Sequence, residues 1–178
     1  MTPYRQMFVF VEGNDDERFF RNVVFPIFTQ WYDLIRFIKY AELKKEKVSS
    51  FIQSIQSIGA SYLFIADINH APCVTFRKNE LIQIYKKLDS TKIVVVIREI
   101  EGWYLAGIDE KELKIKQIKN TDHLGKEQFD QLIPSRFASR TDFMMEILKS
   151  FSIEHAIQRN QSFRYFATRF GLFSPPEN

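Results

Sequence analysis

The sequence predicts an α/β fold with a mostly parallel central sheet, and three apolar runs carry that prediction. They are Gln6–Met7–Phe8–Val9–Phe10–Val11, Ser61–Tyr62–Leu63–Phe64–Ile65–Ala66 and Thr91–Lys92–Ile93–Val94–Val95–Val96–Ile97. Each is short, rich in β-branched and aromatic residues, and followed by a helix-like pattern, as expected of strands buried on both faces. Each also stops at acids: Glu12 after the first, Asp67 after the second, Glu99 and Glu101 after the third. Strands alternating with helices imply right-handed crossovers, and ligands of such sheets bind beyond the carboxyl ends of the strands. Acids delivered to one edge repel each other unless a cation lies between them.

Taken in order, the first strand hands over at Gly13 to a helix capped by Asn14, with Glu17 at its third position. Phe19, Phe20, Val23 and Val24 form its buried face, and Pro26 ends it. A second strand is expected over Asp33–Ile38, either parallel or as an antiparallel edge. The next helix runs from about Leu43 to Ile58, burying Val48, Phe51, Ile52, Ile55 and Ile58, with Gly59 as its stop. After the strand that leads to Asp67, a loop through His70 and Pro72 precedes a helix from Phe76 to Leu88. Its apolar face is Leu81, Ile84, Tyr85 and Leu88. Beyond the last strand, Trp103–Tyr104–Leu105–Ala106 reads as a short helix stopped by Gly107. Residues 109–134 hold one or two short helices, and Phe143–Phe151 and Ile153–Phe170 read as longer ones. Residues 1–107 are thus the α/β core, and 108–178 a helical C-terminal extension packed on it.

Composition sets the bounds. A chain of 178 residues with 45% hydrophobic content is near the size of one ordinary domain, and its 18 Phe supply much of the core. The single cysteine, Cys73, excludes an internal disulfide framework and fits a reducing compartment. The start does not resemble a secretory signal, and no apolar run reaches the roughly 20 residues that span a bilayer. The expected location is the cytoplasm, with no membrane partner. A net charge of +3 is a weak signal for nucleic acid by itself. Its distribution says more: acids crowd Glu12–Glu17, while Arg136, Arg140, Lys149, Arg159, Arg164 and Arg169 lie toward the end.

Glu12 belongs to a strand end and caps nothing, whereas Asp15, Asp16 and Glu17 also suit a helix N-terminus. One helical turn separates Glu12 from Asp16, so both can face one cation. Asp67 and Asn69 point in similar directions if extended geometry continues through them, and an amide oxygen beside a carboxylate suits a hard cation. Asn69 equally suits a turn before Pro72, and His70 nearby is a weak candidate base. Of Glu99 and Glu101, the latter is preferred because the following aromatic helix anchors it. Divalent ions at such carboxylates activate water and stabilise phosphoryl charge, with Arg98, Arg140 and Arg164 as candidate phosphate contacts. One Cys and three scattered His make no zinc pattern, and no Walker loop, GxSxG elbow or GxGxxG fingerprint is present.

These motifs resemble the TOPRIM family, the catalytic domain shared by topoisomerases, primases and nucleases of the overcoming-lysogenization-defect type. Val11–Glu12–Gly13–Asn14–Asp15–Asp16 resembles the family's first motif, and Asp67–Ile68–Asn69, about 55 residues later, its Asp-x-Asp motif. Glu101–Gly102–Trp103–Tyr104–Leu105–Ala106 and Ser162–Phe163–Arg164 resemble segments of small stand-alone members, some tied to genome defence. The resemblance implies a Rossmannoid sandwich over roughly Gln6–Gly107. It implies acid/base or metal-binding work for Glu12, and metal binding by Asp16 and Asp67. Asn69 stands at the second-motif metal position, where the family carries an acid, which weakens one cation site. Glu101 takes the further acidic role, catalytic and metal-binding. Mg²⁺ or Mn²⁺ is the implied cofactor, and DNA or RNA the implied partner. A defence-system protein and a second copy of the chain stay open as partners.

The resulting expectation is a divalent-metal-dependent nuclease. A catalytically weak module binding nucleic acid or protein is the alternative, and phosphoryl transfer to a small molecule a third.

Overall fold

The computed structural model describes residues 4–173. The chain separates into two compact units, Met1–Val95 and Val96–Asn178. The helix that carries Glu101, grouped with the core on sequence grounds, therefore falls in the second unit.

The fold class is as expected. Strands β1 (Gln6–Val11), β2 (Leu34–Lys39), β3 (Ser61–Asp67) and β4 (Ile93–Val96) form one all-parallel sheet in the order β2-β1-β3-β4. The question left open for β2 resolves as a parallel edge strand, with Gln6 opposite Leu34 and Val11 opposite Lys39. β1 is central and sets Phe10 against Phe64 on its other side. One face of the first unit alternates as a strand should: Phe10, Tyr62, Phe64, Ala66, Ile93 and Val95 form a core with Val48, Ile52, Ile55 and Leu81 from the helices and Tyr85 just past them.

Those helices are α3 (Lys45–Ser57) and α4 (Val74–Ile84). Gly59 ends α3 as expected, with φ +68 and the Ala60 N–H bonded to the Ile55 carbonyl at 3.1 Å. Three expected core residues are corrected to the surface: Phe51, Ile58 and Ile84 are 37%, 63% and 36% exposed. Val48, Ile52 and Ile55 already fill the stripe that faces the sheet. α4 ends at Ile84, and Tyr85 takes extended backbone, which frees Ile84 from the helical register.

Before β2 the chain departs twice from expectation. α1 (Asn14–Phe19) is capped by Gly13 rather than Asn14, and its N3 residue is Asp16, whose Oδ2 accepts the Gly13 N–H at 3.1 Å. Pro26 does not end the helix. Residues 20–24 widen into a π-helical turn in which the Phe25 N–H reaches the Phe20 carbonyl. The chain then re-enters α2 (Phe25–Phe28), with Pro26 in the first turn, where its missing N–H costs nothing.

The second unit is helical: α5 (Ile100–Ala106), α6 (Glu110–Leu113), α7 (Lys126–Leu132), α8 (Arg140–Lys149), α9 (Ile153–Arg159) and α10 (Gln161–Arg169). Every residue of α5 is buried, and it contacts α7, α8 and α9. Trp103 stacks on Phe166 at 5.3 Å and meets Phe163 edge-on at 5.2 Å. The single helix expected over Ile153–Phe170 is two, because Asn160 leaves helical geometry and caps α10 by accepting the Phe163 N–H at 2.9 Å. Among the described residues, no helix is long and apolar enough to cross a membrane.

Candidate functional site

Register explains how the first unit gathers its acids. β1 and β2 pair Val11 with Lys39, so one rung further along two parallel strands Glu12 comes beside Tyr40. β1 pairs in parallel with β3 up to Phe10 and Phe64, so the two strands end at the same edge of the sheet. Glu12 and Asp67 thus leave neighbouring strands at the same edge. Asp16 follows one turn later, in the helix that departs from it.

Tyr40 lies against Glu12. Its O–H donates to Glu12 Oε2 at 3.3 Å, while its ring stacks on Phe64 at 4.4 Å. Burial pushes the phenol well above its ordinary value of 10.0. The charges of Glu12, Asp16, Tyr85 and Asp67 push it further the same way. Of these carboxylates, Glu12, just past β1, is the one in hydrogen-bond contact with the phenol. Tyr85 is also raised, chiefly by burial and then by Glu12, with Arg77 opposing.

Tyr40 and Arg77 are the residues that sequence reasoning missed. Tyr40 lies just past a strand that was expected to end at Ile38, and only the register reveals it as Glu12's neighbour. Arg77 donates from Nε to the Asp67 carbonyl at 2.8 Å, fixing the end of β3 against α4.

The remaining expected site residues fall as follows. Asp16 is buried, and its Oδ2 takes part in helix capping. Asn69 is exposed in a turn at φ +52, so extended geometry stops at Asp67 and does not carry Asn69 to the same side. The small polar side chain of Asn tolerates this left-handed backbone. His70 and Cys73 are exposed.

In the second unit, Glu101 is 5% exposed and pairs with the Arg140 guanidinium at 2.9 Å, which also grips Asp130 at 2.6 Å. Glu99 Oε2 accepts the Lys126 N–H at 2.5 Å at the start of α7. Arg164 donates to the Ile157 and Gln158 carbonyls, closing the end of α9. Arg98 is exposed, with φ +65.

A buried polar chain also runs through this unit. The Trp103 indole N–H donates to Ser162 Oγ at 2.8 Å, and Ser162 donates to Asn160 Oδ1 at 2.9 Å. Asn160 Nδ2 in turn donates to Thr121 Oγ1 at 3.0 Å.

Among the described residues, no three His, Cys, Asp and Glu side chains gather as a ready metal cage. The donors around Tyr40 are all oxygens. Mg²⁺ is commonly held by one or two carboxylates together with waters and substrate phosphates, so the donor chemistry fits a hard divalent ion. No protein-family model matches the chain, and no match was found among curated proteins or solved structures.

Proposed function

We propose that the first unit carries a TOPRIM-like site for divalent-metal-dependent hydrolysis of phosphodiester bonds in DNA or RNA. The observation that supports it is the Tyr40–Glu12 contact at the carboxyl edge of the sheet, where α/β folds bind ligands, with Asp16 and Asp67 near enough for their charges to raise the same phenol. Asp16 and Asp67 are the residues that would hold Mg²⁺ or Mn²⁺. When bound, the ion supplies charge that activates water and stabilises the phosphoryl group.

Glu12 is the proton acceptor of this reading. Its carboxylate is steadied by the Tyr40 hydroxyl, which is itself fixed by stacking on Phe64. Arg77 keeps the Asp67 backbone in place. Glu101 lies in the second unit, where it is paired with Arg140. In the second unit Arg98 is exposed, whereas Arg140 and Arg164 spend their guanidinium groups on the chain itself.

The decisive test is a cleavage screen on single- and double-stranded DNA and RNA with Mg²⁺ and Mn²⁺, repeated with Asp67→Ala. Metal-dependent cleavage should be lost in the variant together with metal binding measured by calorimetry. Cleavage retained by a folded Asp67→Ala protein rejects the assignment.

A second reading, a module that binds nucleic acid or a defence protein without cutting, is favoured by Asn69. It supplies no negative charge and sits in a turn. Binding that survives chelation, with no cleavage of any substrate, selects it.

A further inference from the structure

We propose that the groove along α3 binds the phosphodiester backbone of a nucleic-acid strand. This open groove, of about 370 Å³, is lined by Lys45, Lys86 and Lys87 together with Gln53 and Ile84, and Glu46 is its one acid. None of the three lysines makes an ion pair among the described residues, where the lysine pairs that form involve Lys39 and Lys149. Three ammonium groups against one carboxylate leave the groove positive.

The cations stand on fixed supports. Lys45 opens the 13-residue helix α3. Lys86 and Lys87 ride a loop tied down at Lys87 and Asp89. Gln56 Nε2 donates to the Lys87 carbonyl at 2.9 Å, and Tyr62 Oη accepts the Asp89 N–H at 2.9 Å. Lys87 itself is held at φ +71, an uncommon backbone for a side-chain-bearing residue.

Chain order sets the groove's helix just after the site's tyrosine. α3 begins shortly after Tyr40, whose hydroxyl meets Glu12. The groove runs along the helix toward the loop at Lys87. Cations spread along an open channel match the repeating charge of a polymer better than a compact anion. The identity of the ligand rests on the phosphodiester reading above; the site itself does not.

The test is fluorescence anisotropy with labelled oligothymidylate and oligouridylate in chelator, across a salt series. Parent protein is compared with the Lys45→Gln/Lys86→Gln/Lys87→Gln triple variant. A control triple, Lys114→Gln/Lys116→Gln/Lys119→Gln, carries the same charge loss elsewhere. Three lost single-strand phosphate contacts should make the log–log salt slope shallower by about 2 and weaken binding by about tenfold or more on both polymers. The control should keep the parent slope.

The proposal is overturned if the parent binds neither polymer, or if the groove variant keeps the parent slope. It is overturned equally if the control loses as much, if only one polymer is affected, or if ATP displaces the strand as a pocket ligand would. Because chelator abolishes metal-dependent cleavage, failure here and failure of the hydrolytic reading are separate results.

Discussion

Substituting Ser162 by Ala removes one hydroxyl at the centre of the second unit's buried polar chain. That oxygen accepts the Trp103 indole N–H at 2.8 Å and the Ile97 N–H at 3.2 Å, and its proton goes to Asn160 Oδ1 at 2.9 Å. The three losses are unequal. Trp103 is fully buried, so its N–H can find no water. A stranded buried donor costs about 1–3 kcal/mol. Asn160 Oδ1 still accepts the Phe163 N–H at 2.9 Å, and Ile97 is only half-buried, so these two add less. The expected total is about 2–3 kcal/mol.

Urea unfolding followed by tryptophan emission and far-ultraviolet circular dichroism measures it. The double variant Ser162→Ala/Trp103→Phe should recover part of the loss, with a coupling of about 1 kcal/mol or more. A Ser162→Ala loss below about 0.5 kcal/mol at unchanged denaturant slope would refute the reasoning, because that is the range of an ordinary surface substitution.

Two further outcomes follow from geometry and burial. Gly102→Ala places a Cβ 2.9 Å from the Leu124 carbonyl oxygen and 3.1 Å from that of Thr121. Both are backbone atoms that cannot rotate away, so the variant should lose about 1–3 kcal/mol despite alanine's better helix propensity, and a raised urea midpoint contradicts this. Tyr32, Tyr40, Tyr62 and Tyr85 are all raised from 10.0, each chiefly by burial. Above about pH 10 the unfolded chain releases phenolic protons that the folded one retains, so stability is complete below that pH and falls as pH rises through the higher folded values. Urea midpoints taken across this range with tyrosinate absorbance check the sign; a midpoint that stays level past the onset of ionisation in the unfolded chain contradicts it.

The strand ends were legible in the sequence because each apolar run stops at a charge that the sheet interior cannot hold. β1, β3 and β4 were found for that reason, and with them Glu12 and Asp67. Tyr40 was not legible, because its relation to Glu12 depends on how β1 and β2 register, and no pattern within either strand encodes that. The surface placement of Phe51, Ile58 and Ile84 escaped a periodicity reading because apolar residues flanking a helical stripe look the same as those within it. Asn160 was read through because a polar residue is unremarkable inside an amphipathic helix. Its side chain had to be seen accepting the Phe163 N–H before the break made sense. Asn69 suited both a ligand and a turn, and the left-handed backbone is what the chain adopts there.

Phe10, Phe64, Tyr40 and Tyr85 form a continuous aromatic column from the central strand to the phenol that touches Glu12. The rings that keep the first unit folded also set the height of the edge that carries Glu12. A change of ring size inside the column would displace an acid at its rim. Mutational drift in that interior therefore reaches past cohesion, to the position of the Glu12 carboxylate.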